Sequence, residues 1–342
     1  MNMHKVNNRD RSVDVLKGIG IIMVVSGHID FAGIGSSFVS YLYTFNVAIF
    51  FFVSGLLWKS QSIKYFPTFL RSKTKTILVP YLVFFCISIF YGFVVVKRVF
   101  NEFVIPFNIG DVSKALLYGS EWLNSVPTFN FALWFLPIFF ISNCCFFLLQ
   151  QIKSRLLFGI VLLSLVIVSI PVQALIPGRP VLSINVLPVS LVLMGAGYVW
   201  SKWLGNPRIS LGILSIMLIF SLWVTASYPG NISGINSYWF FPSAIVSILI
   251  YFRIAQDFKS SLLLRFLGIE SLYIYGLHGL VANMYRFTPV QQFFANYWSG
   301  LMLWLVNLLF VIAVSSALVI LPRGTIAAAR SLRKQLYNSG IN

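Results

Sequence analysis

Charge is what this chain has least of. Only 10% of its 342 residues are Asp, Glu, Lys or Arg, whereas 58% are hydrophobic. A soluble domain carries about 25% charged residues, so a water-facing globular surface is excluded and a polytopic membrane protein is expected. Acid is scarcer than base: 8 Asp and Glu stand against 25 Lys and Arg, a formal net charge of +17. Such an excess fits a nucleic-acid partner or a membrane topology, and the positions of the basic residues decide between them. Cysteine is nearly absent. Cys86, Cys144 and Cys145 all lie in apolar runs and two of them are adjacent, which is unsuited to a structural disulfide and reads as packing. No metal site and no bound cofactor are expected.

What is abundant is apolar sequence in long runs. Stretches able to cross roughly 30 Å of hydrocarbon fall near residues 15–31, 38–58, 77–96, 131–149, 156–172, 181–200, 209–226, 238–253, 265–285 and 300–321. The expected fold is therefore all-α, with about ten transmembrane helices and both termini on one side. Twenty of the 25 basic residues then lie on the side of the termini, and Lys97, Arg98, Lys114, Arg179 and Arg286 lie opposite. By the positive-inside rule both termini are cytoplasmic, and the excess of base is topology with no nucleic-acid partner implied. One integral-membrane domain is expected over 1–342, with cytoplasmic tails at 1–14 and 323–342. Leu16 to Val25 resembles a signal-peptide core, but Lys17 and His28 interrupt it and no cleavage is expected.

Polar groups mark the first span. Lys17 and His28 are eleven residues apart, so on a helix they return to within roughly 20° of one azimuth, about 16 Å apart along the axis. Asp14 can pair with Lys17 at the i,i+3 spacing. Ionisable groups inside apolar spans tend to face a bundle interior or a watery cavity. The ninth span has a second stripe, Ser271, Tyr275 and His278 on neighbouring azimuths with Glu270 at its start, expected to face the first. The cytoplasmic segment from Lys59 to Thr76 holds Lys59, Lys64, Arg71, Lys73 and Lys75 and no acid; it suits an anion cradle as well as an ordinary loop on anionic headgroups. From Lys97 to Asn130, Glu102, Asp111 and Glu121 mix with Trp122, Asn124, Phe129 and Asn130. That mixture suits a sugar and equally an interfacial segment. His4 is assigned no role.

These motifs carry a resemblance. A basic residue, ten intervening residues and a histidine (Lys17, His28), then Phe51-Phe52-Val53-Ser54-Gly55, Leu133-Trp134-Phe135-Leu136-Pro137 and Ser271 to His278 occur in an order and spacing similar to bacterial integral-membrane acyltransferases of type three, in particular the sugar O-acetylase branch. The family tends to have two arginines three residues apart before a Pro-Tyr. Here Lys73 matches the first, Thr76 replaces the second, and Pro80-Tyr81 follows. Glu270 stands where asparagine is common.

The resemblance implies acetyl transfer from acetyl-CoA, a co-substrate, to a sugar hydroxyl of a surface polysaccharide or its lipid-linked precursor, in the bacterial inner membrane among membrane lipids. His28 is the implied base. Asp14, Lys17, Glu270, Ser271, Tyr275 and His278 support it; Arg71, Lys73 and Lys75 face the donor; Trp134 and Asn130 are on the acceptor side. Direct transfer and an acyl-histidine intermediate both fit. Succinyl-CoA as donor and a lipid or peptidoglycan sugar as acceptor are the runners-up. A lipid-linked-glycan flippase could use the same Lys, His and Glu as a proton relay, although no inverted repeats are evident.

Overall fold

The computed structural model describes residues 10–29, 36–92, 109–119, 130–286 and 288–338. His4, Asp30, Lys97, Arg98, Glu102, Glu121, Trp122, Asn124 and Phe129 lie outside them. No strand occurs among the described residues, and the architecture is an all-α, multi-pass membrane bundle.

The bundle is built around α1 (Arg11–Ser26), which is buried on most of its circumference. Asp10 starts it as N-cap, its carboxylate accepting from the Ser12 amide at 2.9 Å, so the helix begins inside the segment expected as a tail. Gly27 ends it, its N–H reaching back to Met23 O at 3.1 Å. After α1 come α2 (Ser36–Phe45), α3 (Ala48–Leu56), α4 (Phe66–Lys73), α5 (Val79–Phe90), α6 (Ile109–Tyr118), α7 (Phe135–Leu149), α8 (Arg155–Leu175) and α9 (Leu187–Lys202). They are followed by α10 (Leu211–Ser227), α11 (Phe240–Asp257), α12 (Leu262–Ile269), α13 (Ser271–Arg286), α14 (Pro289–Tyr297) and α15 (Gly300–Asn338). The last runs without a break through the segment expected as a tail from residue 323.

Among the described residues, six helical stretches are long and apolar enough to cross a membrane: Ser37–Leu56, Ile63–Phe90, Arg155–Leu175, Val181–Lys202, Phe240–Asp257 and Gly300–Leu321. Phe135–Leu149 and Gly212–Ser227 are apolar but shorter. The first and ninth expected runs fall short of that length for a physical reason. α1 has 16 residues, and the ninth run is broken at Glu270, where α12 stops and α13 starts again. A hydropathy window averages across such a break and does not see it.

Glycine sets the two closest crossings. A side chain at Gly18 would strike the Leu264 carbonyl of α12, and one at Gly268 would strike the Asp14 carbonyl of α1. Gly55 and Gly197 stand in the same relation to the backbones of α9 and α3. In a membrane, where lipid tails are as apolar as leucine, such close backbone approach supplies much of the helix association. On the periphery, α8 exposes Leu156, Ile160, Leu163 and Ile167, a stripe at helical spacing suited to lipid.

The stretch Ile63–Phe90 contains a π-turn, Thr74–Leu78, between α4 and α5. Pro80 has no N–H to give to Thr76 and its ring would press on that carbonyl; widening the turn relieves both. Such turns are frequent at functional sites.

Candidate functional site

Two cavities lie at opposite ends of α1. The larger, about 500 Å³, is lined by Lys17, Lys59, Ser72, Lys73, Thr76, Phe135, Ser271 and Tyr275, among others. Lys17 Nζ lies 3.1 Å from Asp14 Oδ1, with Asp14 buried, so the expected i,i+3 pair forms. Lys73 reaches the cavity where the π-turn begins. Arg71 and Lys75, expected to act with it, are exposed and do not line the cavity. They are i,i+4 neighbours on one face, while Ser72, Lys73, Thr76 and Ile77 form the adjacent face that turns inward. Glu270 is buried at the break between α12 and α13, its carbonyl taking the Tyr273 and Ile274 amides at 2.9 and 3.0 Å, and it does not line the cavity either.

The smaller cavity, about 300 Å³, is lined by His28, Tyr43, Asn46, Phe131, Trp134, Arg179, Ser233 and Tyr275, among others. The guanidinium of Arg179 lies 4.9 Å over the Trp134 ring and its Nη1 donates to Phe131 O at 3.1 Å. Tyr43 donates its hydroxyl to the Gly27 carbonyl beside His28. Trp134, named with Asn130 for the acceptor side, lines this cavity. Asn130 does not. It is fully buried, its Nδ2 donating to Gly276 O at 2.9 Å and to Ser88 Oγ at 3.2 Å, which ties α13 to α5 and leaves no reach into the cavity.

Among the described residues, Tyr275 alone lines both cavities. Its hydroxyl donates to the Ala132 carbonyl, and its ring packs on Phe135 and His278 with centroids 5.1 and 5.5 Å away. His278, fully buried, places Nε2 3.2 Å from Nδ1 of His28. The first and ninth expected runs therefore meet through their histidines, and Tyr275 stands between that pair and the larger cavity. His28 is further held by Phe131, at 4.8 Å between centroids, and by Tyr43 at 6.4 Å.

Sequence reasoning gave no role to Tyr43, Asn46 and Arg179, and named Lys59 only as one of the basic residues of its cytoplasmic segment. For Arg179 a signal was present. It is one of the five basic residues opposite the termini and sits between Pro177-Gly178 and Pro180, an unusual place for a cation in an otherwise apolar stretch.

A family model described as an acyltransferase domain matches residues 10–322. No curated protein and no solved structure matches the chain.

Proposed function

The chain belongs to the acyltransferase 3 family and is a membrane acyltransferase; from that premise we propose that it moves an acetyl group from acetyl-CoA to a sugar hydroxyl of a bacterial surface polysaccharide, such as O-antigen, capsule or exopolysaccharide, or of its lipid-linked precursor. The observation that supports this reading most is the pair of cavities along α1 with Tyr275 in the wall of both, the smaller one lined by His28, whose Nδ1 meets His278. The protein sits in the inner membrane with both termini in the cytoplasm. Acetyl-CoA is a cytoplasmic compound, so it enters the larger cavity, where Lys59 and Lys73 offset its phosphates and Ser271 borders its path. The Asp14 carboxylate holds Lys17 at the wall of that cavity. The sugar enters the smaller cavity, against Trp134, Arg179 and Asn46.

A sugar hydroxyl is a weak nucleophile at neutral pH and needs a base. An imidazole ring can take a proton on one nitrogen while the other is held by a neighbour, so His28 is the group suited to that work, and general-base catalysis contributes about 10² to 10⁴ in rate. The hydroxyl oxygen attacks the thioester carbonyl carbon while its proton passes to His28. The C–S bond then breaks, and the proton moves from His28 to the departing coenzyme A thiolate. Since the donor arrives on one side of Tyr275 and His28 lies on the other, the acyl end of the thioester has to pass the tyrosine ring before it reacts.

The test is purified wild-type protein in lipid vesicles, supplied with acetyl-CoA and extracted surface glycan, and the mass increment of the glycan. An acetyl increment that falls by about two orders of magnitude in His28→Gln protein is expected, because Gln keeps a polar side chain and loses the base. A succinyl increment, or label in lipid or peptidoglycan sugar alone, would change the donor or acceptor. Activity of His28→Gln above about a tenth of wild type would remove His28 as the base.

A further inference from the structure

His278 Nδ1 lies 2.7 Å from the carbonyl oxygen of Tyr275, one turn earlier in α13, and its Nε2 lies 3.2 Å from Nδ1 of His28. A carbonyl oxygen only accepts hydrogen bonds, so the proton of a neutral His278 is on Nδ1 and its Nε2 carries a lone pair. The approach of His28 Nδ1 to that lone pair is a hydrogen bond only when His28 Nδ1 bears hydrogen. With the opposite tautomer two lone pairs would face each other inside the bundle. His28 is thereby left with its free lone pair on Nε2.

We propose that His278 is a positioning residue that fixes His28 as the Nδ1–H tautomer, so that Nε2 is the nitrogen that takes the acceptor's proton. The inference rests on the reading of His28 as base. The backbone of α13 decides the state of His278, His278 decides the state of His28, and packing against Phe131 and Tyr43 holds the ring in place. The arrangement resembles in logic a carboxylate that orients a catalytic histidine, with the difference that the orienting group is uncharged and suited to a buried site. When Nε2 of His28 is protonated during the reaction, the Nδ1–H bond to His278 becomes charge-assisted and strengthens, which favours the transition state over the ground state.

Two substitutions separate this role from packing. The side-chain oxygen of Gln in His278→Gln falls near the place of Nε2 and can accept from His28, whereas Asn in His278→Asn reaches only the place of Nδ1. With acetyl-CoA as donor, His278→Asn lowers kcat at least about tenfold with little change in KM for acetyl-CoA, and His278→Gln recovers most of that loss. Nitrogen-15 NMR reads the tautomer independently of turnover, and with only three histidines in the chain the spectrum is simple to assign. In wild-type protein His28 shows hydrogen on Nδ1 and a lone pair on Nε2; in His278→Asn the two tautomers mix. The inference is overturned if wild-type His28 carries its proton on Nε2, or if Asn and Gln lose rate equally while His28 keeps the wild-type tautomer in both. If wild-type protein transfers no acetyl group, the functional reading fails while the spectrum still decides the tautomer.

Discussion

Gly18→Ala and Gly159→Ala are the same chemical change in two helices, and the structure gives them opposite signs. At Gly159, exposed on α8, an added Cβ meets nothing within 4 Å. Replacing a helix-interior glycine there contributes about 1 kcal/mol of stability through helix propensity. At Gly18 the propensity gain is the same, but the methyl group strikes the Leu264 carbonyl and comes within 3.3 Å of the Gly268 amide nitrogen. Both obstacles are backbone, so neither swings aside as a side chain would, and α1 and α12 have to separate. Overpacking of that kind costs about 1–3 kcal/mol. The net at Gly18 is therefore about 0–2 kcal/mol destabilising, and the gap between the variants is about 1–3 kcal/mol. At roughly 2 °C per kcal/mol for a chain of this size, thermal aggregation midpoints in detergent should differ by roughly 2–6 °C, Gly18→Ala the lower. The displacement of α1 also moves Lys17 at the wall of the larger cavity, so Gly18→Ala loses acetyl transfer at temperatures where it is still folded. Equal or reversed midpoints would refute the claim that α1 and α12 are held by backbone contact at this glycine.

Lys73→Gln should raise KM for acetyl-CoA severalfold, whereas Lys75→Gln, whose parent side chain lies outside the cavity, should leave it near wild type; steady-state kinetics at varied donor tells them apart, and equal effects would make the segment a diffuse charged surface. Tyr275→Leu thins the wall between the cavities, so the ratio of butyryl to acetyl transfer should rise; an unchanged ratio would mean that Tyr275 does not limit the acyl group. With Cys86, Cys144 and Cys145 replaced, a cysteine at Ser233 should react with an impermeant thiol reagent added outside intact cells and one at Ser62 should not. Labelling of Ser62 would invert the orientation read from the basic residues.

The amino-acid sequence alone determined what depends on local periodicity and on transfer of side chains from water. The scarcity of charge and the long apolar runs required helices in a membrane, because isolated backbone polar groups cannot be left unpaired in hydrocarbon. A helix of fixed pitch put Asp14 beside Lys17, at 3.1 Å; His28, expected on the same helix face as Lys17, lies just beyond the end of α1. The tertiary structure alone decided what depends on how one helix is rotated and set against another. His28 meets His278 across 250 residues of chain, Tyr275 comes to stand between two cavities, and Asn130 turns inward to bind α5 and α13. Lys73 lines the larger cavity while Lys75, inside the π-turn Thr74–Leu78, lies outside it, a difference that no hydropathy window registers. The ninth apolar run is divided for the same reason, since the break at Glu270 is a matter of backbone geometry. Those rotations are set by glycines that admit a neighbouring backbone and by buried polar groups that need partners, and each of these acts only once a second helix is present to be met.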